Sequence, residues 1–167
     1  AKVVTLGLMT IDISLGSAVV DMYGRYGMLC KSQEAFNMLH VRNVIAWNAL
    51  IGAYGQNRHA ERCLQLFNQL TFSCDHNLGK ESNISFSCVL SACADMGLLE
   101  HGKTIHGYIV ECSMETDVMM GSTLINLYGK CWRPKEAQWM FDNLEERNLI
   151  TWNNIIRAHC LCGNAEQ

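Results

Sequence analysis

The sequence predicts an all-α protein, an α-solenoid built of helix-turn-helix repeats. Three observations predict it. First, a set of strings returns at one offset of 105 residues. It pairs Trp47-Asn48 with Trp152-Asn153, Gly16-Ser17 with Gly121-Ser122, Tyr23-Gly24 with Tyr128-Gly129, Phe36 with Phe141, and Arg42-Asn43 with Arg147-Asn148. Five matches in one register mean internal duplication, and duplication at this scale means stacked supersecondary units. Second, apolar residues recur at helical spacing along almost the whole chain. Third, Pro134 is the one proline in 167 residues, which favours near-continuous helix over a loop-rich domain.

A finer grid lies inside the duplication. Aligning Gly16, Trp47, Phe86, Gly121 and Trp152 leaves gaps of 31, 39, 35 and 31 residues. Each anchor opens an apolar helical pattern. These are Val19, Val20 and Tyr23; Leu50, Ile51 and Tyr54; Val89, Leu90 and Cys93; Leu124, Ile125 and Tyr128; and Ile155 with Ile156. A glycine or polar break follows near Gly27, Asn57, Gly97 and Arg133. Second helical runs are expected over Gln33 to Leu39, Ala60 to Leu70, Leu99 to Val110 and Lys135 to Leu144. Pro134 stands where a helix starts, since its missing N–H costs nothing at that position. Each unit is then a helix, a short turn and an antiparallel helix. One such pair cannot bury its apolar face, but stacked pairs can, along a concave face. The gap of 39 places about four extra residues between Thr71 and Glu81, as a swollen loop around Cys74 to Lys80. Residues 1–12 read as the tail of a preceding unit in a longer chain, and residues 149–167 as a unit without its second helix.

Composition bounds the function. With 49% hydrophobic and 17% charged residues, the chain suits a folded rather than a disordered protein. Polar residues interrupt every apolar run before it could span a bilayer. The nine cysteines are odd in number and irregularly spaced, so they build no disulfide frame. Most fall at apolar helix positions, as reduced cysteines packed in a reducing compartment do. The formal charge of −3 argues against binding dominated by counterion release. Any contact with nucleic acid must therefore lean on stacking and hydrogen bonds.

The strings Asn43-Val44-Ile45-Ala46-Trp47-Asn48-Ala49-Leu50-Ile51 and Gly121-Ser122-Thr123-Leu124-Ile125-Asn126-Leu127-Tyr128-Gly129-Lys130-Cys131 carry a family likeness. So does Gly102-Lys103-Thr104-Ile105-His106-Gly107. The chain resembles the pentatricopeptide repeat family of plants, in the subclass that mixes long, short and standard repeats, over nearly its whole length. Short repeats resemble residues 13–43 and 118–148, a standard repeat with the insertion residues 44–82, a long repeat residues 83–117, and a truncated standard repeat residues 149–167. A tetratricopeptide array fits less well, because its early tryptophan and its closing proline are missing. The likeness implies a right-handed superhelical solenoid. Departures fall at the turns: Trp132 and Arg58 stand where that family has glycine, and His40 and Glu145 where it often has proline. They bear on local turn geometry, not on the fold.

The resemblance implies sequence-specific binding of single-stranded RNA, one base per repeat, by two side chains in each unit. Carried over, the pairs are Ser17 with Asn43, Asn48 with Ser82, Ser87 with Asp117, and Ser122 with Asn148; Asn153 has no partner. Ile45, Ile84, Met119 and Ile150 would sandwich the bases, with Ser14 in that place in the first unit. A carboxamide offers donor and acceptor together, and a hydroxyl is smaller and switches role. By the family pattern the site reads A-C-G-A-pyrimidine. Without the resemblance, the same serines and asparagines read as helix caps on a solvated face, and the apolar residues as core.

Other chemistry finds little footing. A zinc deaminase needs His-x-Glu and a later Pro-Cys-x-x-Cys. His59-Ala60-Glu61 supplies the first half, but Cys-x-x-Cys occurs nowhere. His159, Cys160 and Cys162 are too few for a tetrahedral metal site. No phosphate loop or nucleophile–base pair is visible. The sequence therefore implies no enzyme, no cofactor, no metal and no small-molecule substrate. The resemblance implies as partners organellar RNA, in a mitochondrion or chloroplast, and proteins of a C-to-U editing or RNA-processing complex. The alternatives are a helical scaffold that binds a peptide or partner helix, and an inactive fragment.

Overall fold

The computed structural model describes residues 13–73, 83–111 and 117–163, and these form helices joined by short turns, with no strand among them. The helices are α1 (Ile13–Arg25), α2 (Leu29–Asn37), α3 (Val44–Gln56), α4 (Ala60–Ser73), α5 (Asn83–Met96), α6 (Leu99–Glu111), α7 (Val118–Lys130), α8 (Pro134–Asp142) and α9 (Leu149–Gly163). The fold is all-α, as the periodicity requires. The expected insertion, residues 1–12 and the last four residues lie outside the described residues. The chain divides into two compact units, residues 1–89 and 90–167.

The turns explain why helices stop where they do. After α1, the Gly27 N–H donates to the Gly24 carbonyl at 3.0 Å and the Met28 N–H to the Tyr23 carbonyl at 2.9 Å. This nested pair is a Schellman turn, which satisfies the last carbonyls of the helix and needs a left-handed residue just beyond it. The same pair closes α3 through Arg58 and His59, α5 through Gly97 and Leu98, and α7 through Trp132 and Arg133. The left-handed residues have φ of 70°, 62°, 67° and 59° at Gly27, Arg58, Gly97 and Trp132. The turn geometry is thus unchanged where glycine is replaced, and the substituted residues carry the backbone strain instead. The next helix restarts at once, so α2 opens at Leu29, four residues before the expected Gln33. Pro134 is in the first turn of α8, as its chemistry suggests.

In the first unit, α2 folds back antiparallel on α1: Leu39 packs on Gly16, and the Ser32 hydroxyl donates to the Val20 carbonyl at 2.8 Å. Helix α3 then lies beside α1, with Ala53 against Gly24, and α4 returns over α3, where the Cys63 thiol meets the Ile51 carbonyl. Val20, Leu50, Ile51, Leu66 and Leu70 are fully buried between these layers, and Phe67 meets Phe86 edge-on at 4.8 Å.

The second unit repeats the same contacts 105 residues later. Leu144 packs on Gly121 as Leu39 does on Gly16, and Ala158 on Gly129 as Ala53 does on Gly24. Phe141 meets Trp152 at 4.7 Å, and Phe36 meets Trp47 at 4.7 Å. Helix α6 packs on α7, with Leu127 against Gly102 and His106 Nδ1 at 2.8 Å from the Tyr128 hydroxyl.

The two motif tryptophans differ in burial: Trp47 is 9% exposed and belongs to the core, whereas Trp152 is 50% exposed. The cysteines are less uniformly buried than the apolar pattern implies. Cys63 and Cys93 are core, Cys88, Cys131 and Cys162 are half-buried, and Cys30 and Cys160 are exposed. Burial beside Cys131 pushes the Cys93 thiol up to about 11, so it is an inert core group. No described helix is long and apolar enough to cross a membrane.

Candidate nucleic-acid interface

The four apolar residues expected to sandwich bases share one place. Ile45, Ile84, Met119 and Ile150 are each the second residue of their helix, in α3, α5, α7 and α9. They are 54%, 52%, 60% and 59% exposed. A core assignment for them is therefore excluded. In each unit, half-exposed aliphatic side chains at this register position are poorly solvated.

The last residue of each expected repeat sits just before the next helix. Asn43 caps α3, its Oδ1 accepting from the Ala46 N–H at 2.9 Å. Asp117 caps α7 in the same way, from the Met120 N–H at 2.8 Å. Asn148 accepts from the Thr151 N–H at 3.0 Å, while the Thr151 hydroxyl accepts from the Asn148 N–H at 2.9 Å. Capping satisfies orphan donors of the first turn and fixes each side chain at the mouth of the helix. Ser82 lies outside the described residues.

The residues on the first helices differ among themselves. Ser17 and Ser122 are buried, 4% and 7% exposed. The Ser122 hydroxyl donates to the Val118 carbonyl one turn back, at 2.7 Å. Asn48 is half-buried, and its Oδ1 accepts from the Ser85 hydroxyl of α5. Ser87 keeps its hydroxyl buried, with no hydrogen-bond partner among the described residues, so this oxygen is not presented to solvent. Asn153 is exposed on α9.

In the second unit, part of the expected site comes together. An open groove of about 640 Å³ is lined by Met119 and Ser122 of α7, by Asn148, and by Ile150 of α9. Thus one expected base-reading pair and its two flanking aliphatic residues share a single concavity. The groove also holds Lys130 and Arg157, which periodicity did not single out. Lys130 Nζ is 2.5 Å from Asp95 Oδ1, which neutralises part of its charge, while Arg157 is exposed. Asn154, which also lines the groove, reaches from α9 to donate to the Ser122 carbonyl at 3.0 Å and joins the two helices. The one sequence signal for Lys130 was its place in the Tyr128-Gly129-Lys130 string. Asn154 gave none, because its role depends on the neighbouring helix.

Comparison with known proteins agrees with this architecture. The family model described as PPR repeat matches residues 45–72, 122–149 and 150–167. The chain is 31% identical over 152 residues to the mitochondrial pentatricopeptide repeat-containing protein At3g24000 of Arabidopsis thaliana, covering 91% of this chain and 23% of that protein. It is 31% identical over 147 residues to the chloroplastic pentatricopeptide repeat-containing protein CRR2 of the same plant, covering 88% of this chain and 22% of that protein. The crystal structure of the pentatricopeptide repeat protein PPR10 from maize matches with a TM-score of 0.72 and 19% identity, over 93% of this chain and 23% of that one. The chain spans about a fifth of the length of the curated relatives it matches.

Proposed function

The chain belongs to the pentatricopeptide repeat family, and on that premise we propose that it binds single-stranded RNA sequence-specifically, with one base per repeat over residues 13–43, 44–82, 83–117 and 118–148 and a partial unit at 149–167. The unequal spacings of 31, 39, 35 and 31 residues support the mixed-length subclass.

The observation that carries this reading is the groove that Met119, Ser122, Asn148 and Ile150 line together. Its polarity supports adenine as the base. Ser122 spends its proton on the Val118 carbonyl, so its oxygen is left to accept a bond. The Asn148 Oδ1 is held by the Thr151 N–H, which leaves the amide N–H groups to donate. An acceptor beside a donor matches the amino group and ring nitrogen on the pairing edge of adenine. Met119 and Ile150 supply apolar contact to the base, and Lys130 and Arg157 supply positive charge for the phosphates.

The role is recognition, with any chemistry done by a partner or another part of a longer protein. Relatives named mitochondrial and chloroplastic support an organellar setting, and we assign the chain to RNA processing or C-to-U editing-site recognition there.

The test is binding of the 167-residue chain to short RNAs of the series A-C-G-A-pyrimidine, varied one base at a time. Replacing the fourth base should weaken binding by roughly 1–3 kcal/mol, and Ser122→Ala with Asn148→Ala should erase that preference. RNA binding indifferent to both changes would refute the reading. So would capture of a peptide that ignores these positions, as a protein scaffold would give.

A further inference from the structure

We propose that Ser85 is a specificity-determining positioning residue for the repeat that precedes it, because its hydroxyl holds the Asn48 carboxamide. The inference rests on the reading of Asn48 as a base-reading residue. Ser85 is the third residue of α5 and is fully buried. Its hydroxyl donates to Asn48 Oδ1, across to the preceding first helix. Each group answers a need of the other. A fully buried hydroxyl must find an acceptor or remain desolvated and unpaired. A terminal carboxamide otherwise rotates broadly about its last torsion and can present either end to a ligand. Tied at Oδ1, Asn48 presents its amide in one sense, and the bases it accepts are those that match that sense.

The register makes this specific to one repeat. The same third position holds Ala46 in α3, Met120 in α7 and Thr151 in α9. Ala46 has no side-chain donor, Met120 has none, and the Thr151 hydroxyl is engaged with the Asn148 backbone. Among the described residues, Ser85 is the third-position side chain that reaches a first-helix reader of the unit before it. Base choice at residues 44–82 is thereby set partly by a residue of the next unit. A code that considers each repeat by itself would misjudge it.

The test uses the 167-residue chain and four RNAs that differ at the nucleotide facing Asn48. Ser85→Ala is compared with the unchanged chain, with Asn48→Ala, and with Ser85→Cys, which keeps the shape but weakens the donor. Alanine is tolerated in full burial at this register, as Ala46 shows. Ser85→Ala should lower discrimination among the four bases roughly threefold to tenfold at that nucleotide, with preferences at the other nucleotides unchanged. Ser85→Cys should fall between the two. A uniform loss at every nucleotide would mean a purely structural role and overturn the inference. If Asn48→Ala flattens the profile while both Ser85 variants leave it intact, the inference fails and the reading of Asn48 stands. If no variant, Asn48→Ala included, changes the profile, the reading of Asn48 falls and takes the inference with it.

Discussion

Gly129 and Ala158 meet where α7 and α9 cross, so closely that a Cβ on the glycine would stand 2.7 Å from the alanine Cβ and 3.2 Å from its Cα. Gly24 and Ala53 make the same contact between α1 and α3, at 2.4 Å and 3.0 Å. Backbone on the far side cannot swing away as a long side chain would. Gly129→Ala should therefore cost about 1–3 kcal/mol by overpacking, despite the higher helix propensity of alanine. Gly107 on α6 has nothing within 4 Å. Gly107→Ala should stabilise by about 0.5–1 kcal/mol. Urea unfolding of the two variants reads the contrast directly.

The left-handed turn residues give a second pair of opposite signs. Gly97 has φ of 67° and open space around it, so Gly97→Ala tests the backbone alone and should cost about 1–2 kcal/mol. Trp132, at φ 59° and 58% exposed, already bears that strain. Trp132→Gly should raise stability by up to about 1 kcal/mol. Thermal melts with opposite shifts would support the account, and equal shifts would not.

Arg42 and Arg147 latch the ends of α2 and α8. The Arg147 guanidinium lies 5.1 Å from the Phe141 ring centroid and donates to the Phe141 and Asp142 carbonyls at 3.0 Å and 2.8 Å. Arg42 does the same over Phe36, at 5.2 Å from its centroid. A planar fork can stack and cap at once, and a point charge cannot. Arg147→Lys should lose about 0.5–1.5 kcal/mol of stability in denaturant titration, and Arg147→Ala at least as much.

His106 provides a pH prediction. Burial against α7 lowers its pKa from the ordinary value of 6.5. Burial disfavours the charged ring, so the folded state binds the proton less readily than the unfolded chain does. This group therefore takes nothing from stability well above pH 6.5, and stability falls as pH drops below that value. His106→Gln should flatten that part of the stability profile between roughly pH 7 and 5. An unchanged slope would show that other groups govern it.

Met119 separates binding from folding. It is 60% exposed, so Met119→Ala should change stability by no more than about 0.5 kcal/mol. In RNA titrations the same variant should lose about 1 kcal/mol of binding, because the apolar contact proposed to the base would be gone. Unchanged binding would refute the proposed contact between Met119 and the base.

Much of the fold was legible in the letters. The 105-residue echo returns as repeated contacts, from Phe36 on Trp47 and Phe141 on Trp152 to the glycine crossings. Helical period and the single proline determined the all-α class, because both are local properties of the backbone and of one helix face. Of the candidate site, the aliphatic residues were legible as one register position, but their exposure was not. Trp47 and Trp152 share a motif and differ in burial, since burial depends on which helix lies opposite.

By itself, then, the sequence determined which segments are helical, that they recur, and which side chains occupy equivalent places in each turn. Tertiary structure alone decided that Ser85 reaches Asn48 across 37 residues, that Asn154 ties α9 to Ser122, and that Arg58 and Trp132 accept left-handed backbone. The physical reason is that periodicity encodes the face a residue occupies on its own helix. It carries no information on the height at which the neighbouring helix settles, and hydrogen bonds between helices depend on that height to within an ångström.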